Sequence, residues 1–397
     1  MPRVLIVGIS TRAAAESAAR AGFEVTGLDA YADLDQHPSV RALSLPRDFA
    51  ARPTASAGAR VARTIASDAV AYLSSFENHP RAVAMLAAGR ALWGNPPDVL
   101  RRVRDPLALS DALRRRGFDV PDVRLEPHRR FDGAPPGPRD DSTGWMVKPL
   151  QSGGGQRVRR STGGAVPRGS YLQEHVDGIP GSVVLAAAGG RAVPLGVSRQ
   201  LIGDPAFGAR NYRYCGSILS GWEDRQFPGG RALVERAWDL ARAVAEEFHL
   251  VGVNSVDFVA RGSTPYPIEV NPRWSASMEL VEQCFGLSVF GCHADACERG
   301  VLPTFDVATA GRQAGAKGKA IVFARQTVVA AGTRRWLGDP TVRDVPRDGE
   351  RIEAGQPVCT VFASATDASG CYEALVRRSE GVYEDLATWA RGRRARA

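Results

Sequence analysis

The sequence predicts an α/β protein whose central unit is α+β, and three observations carry this prediction. The chain opens with a strand, a helix and a second strand, which is the βαβ pattern of a Rossmann-like layer. A hairpin with a glycine loop follows near the middle, and two adjacent polar strands come after a long amphipathic helix. A smaller segment with further strands ends the chain. We therefore expect three units, residues 1–103, 104–300 and 301–397.

The first unit begins with the apolar strand VLIVGI, the helix-prone segment TRAAAESAARA and the strand FEVTGLD. It continues through the apolar residues 70–73 and ends near LWGNPP. A dinucleotide-binding fingerprint needs G-x-G-x-x-G after the first strand, but Gly8 is followed by Ile, Ser, Thr and Arg. The sequence therefore predicts a Rossmann-like layer that does not bind NAD.

The length of 397 residues suits two or three domains with buried cores. Hydrophobic residues make up 44% and charged residues 24%, which excludes a disordered or fibrous protein. No stretch approaches the ~20 apolar residues of a membrane helix, and VLIVGIS is too short for a signal peptide. The six cysteines lack the dense spacing of a disulfide framework. These features predict a cytoplasmic protein with reduced thiols.

The net charge of +8 is weak evidence for a nucleic-acid partner. Of the 51 basic residues, only Lys148, Lys317 and Lys319 are lysines, which leaves 48 arginines. This ratio, beside abundant alanine and glycine, indicates a coding bias rather than a binding surface. Because lysine is a compact point charge and arginine a planar fork, a position that keeps lysine is a candidate for a specific role.

The second unit starts with a helix in LALSDALRRR, with Asp105 as N-cap, Pro106 in the first turn and Gly117 just past the end. The stretch FDGAPPGPRDDST is then a loop, and residues 145–159 form a hairpin. Strands follow at YLQEHV, SVVLAAA and AVPLGVS. An amphipathic helix over 232–248 precedes the strands GVNSVDFVA and YPIEVNP.

The last unit has strands in KAIVFARQTVV and QPVCTVFAS. It ends in the basic tail ARGRRARA, which we expect to be frayed and solvated. The sequence therefore predicts a small β-rich unit with a basic tail.

A lysine beside a glycine loop forms the first candidate site. Lys148 lies on a predicted strand, and Gly153, Gly154 and Gly155 follow it in a turn whose backbone N–H groups can close over phosphate oxygens. The chain has no G-x-x-x-x-G-K-[ST] P-loop. A phosphate clamp and a merely flexible hairpin both fit this pattern.

Carboxylates on two successive strands form the second candidate site. Glu269 and Asn271 are two residues apart, so their side chains share one face of the strand, and Asp257 on the preceding strand can lie opposite. Two carboxylates ~4 Å apart repel by about 1 kcal/mol in water and about 4 kcal/mol when partly buried. A divalent cation removes this repulsion, and Mg²⁺ typically takes one or two carboxylates plus phosphate oxygens and water. Arg273 continues the same face.

Taken in order, these motifs resemble the ATP-grasp superfamily over about residues 104–300. WMVKPLQSGGG is similar to the lysine strand and phosphate flap of that family, YLQEHVDG to its adenine hinge, and VDFV with PIEVNPR to its metal strands. No single motif is specific, so the resemblance rests on their joint order. It implies an ATP-grasp fold with a Rossmann-like domain before it and a small β-rich unit after it.

The resemblance implies a role for each residue of these motifs. Many relatives have a second ATP lysine where this chain has Arg104, so Arg104 is its candidate substitute. Arg273 would face the transferring phosphoryl group, and Arg199 on the strand GVSRQL would point into the same cleft. Asp177 is the candidate for the ribose. The implied residues are Lys148, Arg199 and Arg273 for catalysis; Lys148, Ser152, Gly153, Gly154, Gly155, Gln173, Glu174, His175, Asp177 and Arg104 for ATP; and Asp257, Glu269 and Asn271 for Mg²⁺ or Mn²⁺.

The family typically joins a carboxylate to an amine through an acyl phosphate and releases ADP and phosphate. For this chain it implies small-molecule carboxylate and amine substrates, ATP and Mg²⁺, a homodimer, and neither a membrane nor a nucleic-acid partner. GISTRAAAESAARAGFEVTGLDAYADLD, SSFENHP, LWGN and YRYCGSI further resemble predicted carboligases similar to tyramine–glutamate ligase of methanofuran-type C1-carrier biosynthesis.

Several patterns leave alternatives open. The competing function is a non-catalytic, arginine-rich protein that binds nucleotide or nucleic acid on the same fold. A zinc site requires three or four ligands, and the pattern around Cys292, His293 and Cys297 does not meet this requirement. We expect these side chains to pack in a buried helix. Lys317 and Lys319 either reach an anionic substrate or keep the start of a strand soluble. GERIEAGQPVCTVFA resembles a biotin-carrier-like sandwich without its lysine, which predicts a structural cap.

Overall fold

The computed structural model describes residues 2–125, 144–163, 165–221, 224, 226–312 and 315–394. The predicted loop FDGAPPGPRDDST lies outside these residues. Within them, the strands form sheets of five, four and eight strands and a two-stranded ribbon. The mixed α/β architecture that the sequence predicts is therefore confirmed.

The N-terminal unit is a parallel sheet with the strand order β3-β2-β1-β4-β5. Its central strand β1 (Arg3–Val7) has Val4 and Ile6 in one apolar core and Leu5 and Val7 in another, because helices cover both faces. This confirms the predicted Rossmann-like layer. The other elements are α1 (Arg12–Arg20), β2 (Glu24–Asp29), β3 (Val40–Ser44), α2 (Leu45–Phe49), α3 (Ala55–Ala62), β4 (Ala69–Tyr72), α4 (Pro80–Ala87), β5 (Ala91–Trp93) and α5 (Pro97–Val103).

Helix α6 (Pro106–Arg115) begins and ends where the sequence predicts. The Asp105 carboxylate accepts hydrogen bonds from the backbone N–H groups of Leu107 and Ala108 at 2.9 and 3.2 Å. Gly117 follows the helix with a φ of +81°, a conformation that glycine adopts without strain. The residues at the two ends of this helix are therefore sufficient to predict where it begins and ends.

The four-stranded sheet contains the predicted glycine hairpin. Strand β7 (Trp145–Pro149) pairs antiparallel with β8 (Arg159–Arg160), which ends one residue later than predicted. The YLQEHV segment supplies β9 (Ser170–Glu174), which lies between β7 and the short strand β6 (Val123–Arg124). The loop of the hairpin is thus held at one end of a small sheet.

The eight-stranded sheet has the order β14-β13-β10-β11-β12-β15-β19-β17. Its strands β10 (Ile179–Ala188), β11 (Arg191–Ile202), β13 (Gly252–Arg261) and β14 (Thr264–Asn271) are those that the sequence predicts. Helix α7 (Gly230–Phe248) packs on this sheet. All the side chains of its predicted apolar face are buried: Leu233, Ala237, Leu240, Ala241, Val244 and Phe248.

Three of the C-terminal strands extend this large sheet, whereas β16 (Val328–Val329) and β18 (Arg351–Ile352) form the separate two-stranded ribbon. Strand β15 (Ala316–Phe323) pairs with β12 (Tyr214–Leu219), and β19 (Pro357–Ala365) pairs with β15 and with β17 (Val342–Arg343). The expected boundary at residue 300 therefore does not coincide with an edge of the sheet. Pairing β15 with β12 satisfies backbone groups that an edge strand would otherwise expose.

The basic tail is helical as far as Arg394, so the expectation of a frayed tail was wrong over residues 390–394. It forms the end of α11 (Ala368–Arg394), which packs against β15 and β19. Alanine and arginine both favour helix, and the packing of α11 on the sheet stabilises this helix further.

The remaining elements are α8 (Met278–Phe285), α9 (Val289–Arg299) and α10 (Val307–Arg312).

Buried polar contacts fasten the N-terminal unit to the large sheet. The Asn95 amide donates to Asn254 Oδ1 at 2.7 Å and to the Pro272 carbonyl at 3.0 Å, and its oxygen accepts from the Val251 N–H at 2.8 Å. His293 on α9 is buried, and its Nδ1 accepts from the Val253 N–H at 3.0 Å, as expected of a packed histidine.

Every helix within the described residues is too short or too polar to span a bilayer.

Candidate active site

A cavity of about 1040 Å³ lies where the three sheets meet. The N-terminal sheet contributes residues that follow β1, β2 and β4, the small sheet contributes Lys148 and the glycine loop, and the large sheet contributes β13, β14 and the C-terminal strands. Ligand sites typically have ~300–1,000 Å³. This cavity therefore has room for more than one small molecule.

The predicted carboxylate pair lies on β13 and β14. Asp257 is directly opposite Glu269 in the antiparallel register, and Asn271 Nδ2 donates to Asp257 Oδ2 at 2.9 Å. Ser182 and Gln200 also hydrogen-bond to the Asp257 carboxylate. All three predicted metal ligands line the cavity. The sequence prediction of their juxtaposition is therefore confirmed.

The two carboxylates titrate differently because their neighbours differ. Burial and the negative charge of Glu269 together raise the pKa of Asp257 to about 6. Burial would also raise the pKa of Glu269, but the positive charges of Arg104, Lys148 and Arg273 lower it below its usual value. The pair thus retains a like-charge repulsion that a bound cation would relieve.

The donor set at this pair fits Mg²⁺. No group of three or more His, Cys, Asp or Glu side chains arranged to hold a metal occurs among the described residues. Two carboxylates with a neighbouring amide oxygen are nonetheless what Mg²⁺ uses when phosphate oxygens and water complete its shell. Asp257, Glu269 and Asn271 are the residues that would hold it.

Lys148 is buried beneath the flap, and its position is set by one hydrogen bond. Its Nζ donates to Gln173 Oε1 at 3.0 Å, and Gln173 Nε2 in turn donates to the Ile268 carbonyl at 3.4 Å. Gln173 therefore connects the hinge strand β9 to the metal strand β14 through its side chain. This is a second role for Gln173 beside the backbone contact that the sequence resemblance implies.

Arg104 lies beside the carboxylate pair. Its guanidinium donates to Glu269 Oε2 at 3.1 Å and to the Val270 carbonyl at 2.9 Å. It also donates to Asn78 Oδ1 at 3.1 Å and to the Ser152 carbonyl at 3.3 Å. A fixed positive charge thus stands between the flap and the metal strands, where the sequence departs from the usual lysine.

The glycine loop closes onto the loop before β12. The Gly154 carbonyl accepts a hydrogen bond from the Tyr214 N–H at 3.1 Å. Gly155 has a φ of +71°, and a Cβ on it would lie 1.7 Å from the Tyr212 carbonyl oxygen. This close backbone approach explains why the third residue of the loop is glycine. Ser152, Gly153, Gly154 and Gly155 all line the cavity.

The Gly155→Ala variant should therefore keep the flap from closing. We expect kcat/KM for ATP to fall by about 10- to 100-fold, because the added Cβ collides with backbone that cannot move aside. Steady-state ADP release measures this. Gly153→Ala is the matched control, since a Cβ there meets no atom within 4 Å and the backbone is not left-handed. Equal losses in the two variants would contradict the argument.

Arg273 is held by a partner that the sequence did not reveal. Its Nη2 donates to Glu77 Oε1 at 2.7 Å and to Asn271 Oδ1 at 3.1 Å. Glu77 is 1% exposed and reaches the site from the N-terminal unit, 196 positions away in sequence. SSFENHP contains this glutamate, but only the tertiary fold brings it to Arg273.

Of the predicted hinge residues, His175 lines the cavity, whereas Gln173, Glu174 and Asp177 do not. Burial, followed by the nearby positive charge of Arg160, lowers the pKa of His175. Glu174 is exposed, and its backbone N–H donates to the Asp122 carbonyl. The Asp177 side chain is 88% exposed, and its carboxylate lies 3.4 Å from His175 Nδ1. The structure therefore places the predicted ribose residue outside the cavity.

The prediction that Arg199 points into the same cleft was wrong. It lies on β11 between Ser198 and Gln200, and successive side chains of a strand point to opposite faces. Gln200 lines the cavity and hydrogen-bonds to Asp257, so Arg199 faces the other side of the sheet, near Tyr372 of α11. The one-residue difference removes Arg199 from the set of candidate catalytic residues.

The C-terminal segment that the sequence predicts to be a structural cap also lines the cavity. Residues 357–360 of β19 form part of its wall, together with Glu350 and Ile352. Lys319 on β15 is buried and donates to Glu279 Oε2 at 2.6 Å, so solubility does not explain it. Lys317 is half-buried on the same strand.

The small sheet with its glycine loop and the carboxylate-bearing antiparallel sheet belong to a fold that is also found in solved structures. The L-amino acid ligase from Bacillus licheniformis superposes with a TM-score of 0.65, at 17% identity, over 96% of this chain and 97% of that chain. The N5-carboxyaminoimidazole ribonucleotide synthetase from Thermotoga maritima gives a TM-score of 0.64, at 14% identity, over 96% and 98%. At these identities, the likeness shows the fold alone.

Residues 103–277, which are less than half of the chain, match the family model of the ATP-grasp domain. A curated relative, an uncharacterized protein of Methanocaldococcus jannaschii, is 25% identical over 146 residues. The match covers 37% of this chain, and it spans only 33% of the length of that relative.

Proposed function

We propose that the protein is an ATP- and Mg²⁺-dependent carboxylate–amine ligase that works through an acyl phosphate. The observation that carries this proposal is the arrangement of Asp257 and Glu269 opposite each other, with Lys148, Arg104 and Arg273 close enough to lower the pKa of Glu269. Oxygen ligands for a cation and fixed positive charges for phosphates meet there in one site. The similarity in fold to an L-amino acid ligase supports the same reaction class.

The proposed reaction has two steps. The γ-phosphoryl group of ATP passes to a substrate carboxylate oxygen, which gives an acyl phosphate and ADP. The amine nitrogen then forms a bond to the carbonyl carbon, and the carbon–oxygen bond to phosphate breaks. Overall, a carboxylate, an ammonium compound and ATP give an amide, ADP, hydrogen phosphate and one proton. No side-chain nucleophile is required.

The side chains of this chain act mainly through charge and position. Lys148 and Arg104 would hold the phosphate oxygens, and Arg273 would stabilise the negative charge that develops on the phosphoryl group as it is transferred. Glu77 and Asn271 keep the Arg273 guanidinium in a single orientation. Mg²⁺ at Asp257, Glu269 and Asn271 would supply further neutralisation of phosphate charge.

The experiment is to incubate the protein with ATP, Mg²⁺ and pairs of carboxylates and amines, beginning with glutamate and tyramine. We expect ADP and phosphate release that needs both partners, and a product whose mass equals the sum of the partners minus water. The glutamate–tyramine pair tests the narrower proposal of a step in methanofuran-type cofactor biosynthesis. ATP turnover that is independent of both partners would contradict a ligase.

A further inference from the structure

One end of the cavity carries acidic side chains that the proposed reaction does not use. We name it the acidic subsite and define it by Tyr31, Asp33, Asp344 and Glu350, all of which line the cavity. Tyr31 and Asp33 belong to the loop after β2, and Asp344 and Glu350 belong to the segment between β17 and β18. These elements are separate from those that carry the ATP-site residues.

Two of the cations near this subsite, Arg12 and Lys319, already pair with carboxylates. Arg12 Nε and Nη2 donate to Asp344 Oδ1 and Glu279 Oε1, both at 2.7 Å, and Arg12 Nη1 donates to Glu16 Oε2 at 3.1 Å. Lys319 also pairs with Glu279. Among the described residues around the subsite, the carboxylates of Asp29, Asp33, Asp35, Glu279, Asp344 and Glu350 outnumber the cations of Arg12, Arg47, Lys319 and Arg347. A negative surplus therefore remains.

Asp33 has no partner among the described residues. The residue is 7% exposed, and no hydrogen bond or ion pair to its carboxylate occurs within the described part of the chain. Burial, followed by the charges of Asp344, Asp29 and Asp35, raises the pKa of Asp33 well above its usual value. A buried carboxylate without a partner is costly, so a ligand with a positive charge would supply the missing interaction.

The loop that presents Asp33 is held in place. The Asp29 carboxylate accepts hydrogen bonds from the backbone N–H groups of Tyr31 and Ala32 at 2.9 and 2.7 Å. Ala32 has a left-handed φ of +44°, and the Leu34 N–H donates to the Val345 carbonyl at 2.9 Å. A strained residue fixed by several hydrogen bonds is typical of a binding site.

The rest of the wall suits an organic cation. Tyr31 lines the same cavity as Pro346 and Ile352, which are apolar. Burial, followed by the negative charge of Asp33, raises the pKa of the Tyr31 hydroxyl to about 12, so this side chain stays neutral. Aromatic faces attract ammonium groups, and apolar side chains suit the methylene chain that carries one.

We propose that the acidic subsite binds a second cationic group of the amine substrate, so that the amine is a diamine or polyamine. One amino group attacks the acyl phosphate while the other, as an ammonium, pairs with Asp33. An amino acid is a poorer occupant, because its carboxylate would be repelled by Asp344 and Glu350 at the same place. This inference rests on the proposed ligase function.

The kinetic test compares 1,4-diaminobutane with 4-aminobutan-1-ol, which replaces the second ammonium by a hydroxyl at equal length. We expect kcat/KM to be about 10- to 100-fold higher for the diamine, the range for a hydrogen-bonded charge. Asp33→Asn should lower kcat/KM for the diamine, so that the two amines become equally efficient substrates. Asp111→Asn, at an exposed position of α6, is the control. Equal efficiencies of the two amines in the wild-type protein would overturn the inference and leave the ligase function standing.

If no acid–amine pair is turned over, that result counts against the ligase function. A binding measurement then tests the acidic subsite independently of turnover. Calorimetry with 1,4-diaminobutane, in the presence of ADP and Mg²⁺, should show binding that is at least about 10-fold weaker in Asp33→Asn. Equal binding, or none in the wild-type protein, overturns the inference. Asp33→Asn should also unfold at the same or a higher temperature, because it removes a charge without a partner. A lower melting temperature would instead indicate a structural role for Asp33 and count against the inference.

Discussion

The Glu269→Gln variant should lose about 10³-fold in the rate of ADP formation and keep its fold. Glutamine preserves the size of the side chain but removes the negative charge opposite Asp257. Cation binding at the site then weakens, and charge stabilisation by a bound metal is worth several kcal/mol in the transition state. The rate is measured by coupled ADP detection at saturating ATP, with a Mg²⁺ titration of both proteins.

The matched control is Glu235→Gln on the exposed face of α7, whose carboxylate pairs with Arg231 and whose side chain is 48% exposed. It should retain wild-type activity. Circular dichroism and thermal melting of Glu269→Gln establish that the loss is not unfolding. A variant that is folded and turns over ATP at the wild-type rate would refute both the metal site and the proposed mechanism.

Replacing Arg12 by alanine should lower the free energy of unfolding by about 3–5 kcal/mol. Arg12 is 1% exposed and pairs with four carboxylates, those of Glu16, Asp35, Glu279 and Asp344. Removing one partner of a buried ion-pair network leaves the other charges buried and uncompensated. Urea denaturation at pH 7 measures the change, and a reduced cooperativity would reveal separation of the N-terminal unit.

Arg3→Ala is the control for this experiment. Arg3 and Asp68 are also 2.7 Å apart, but their side chains are 48% and 47% exposed. Exposed ion pairs contribute little, because solvent screens them in both the folded and the unfolded chain. We therefore expect a much smaller loss of stability than in Arg12→Ala. Similar losses in the two variants would contradict the importance of burial.

The elements that hold the candidate site could be predicted from local sequence. The N-cap at Asp105, the apolar face of α7 and the period-two spacing of Glu269 and Asn271 each depend on residues within one turn or one strand. These are short-range regularities of backbone geometry, so they do not require knowledge of the fold. The pairing of Asp257 with Glu269 follows from the short connection between two successive strands.

The strands of the C-terminal segment were predicted, but not the sheet that they join. Pairing of β15 with β12 brings together segments about 100 residues apart, and many strands have an edge of suitable length. The orientation of Arg199 was also wrong, because a shift of one residue reverses the face to which every side chain points. Register of this kind is decided by the packing of the whole sheet.

By itself, then, the sequence determined the glycine hairpin, the carboxylate strands and the resemblance to ATP-grasp proteins, since each is a local pattern in a fixed order. Only the tertiary structure decided that Glu77 holds Arg273, that Arg12 and Lys319 share Glu279, and that Asp33 faces the cavity without a partner among the described residues. The physical reason is that buried charges are satisfied by whichever group the fold brings within a few ångströms, and that group is usually distant in sequence.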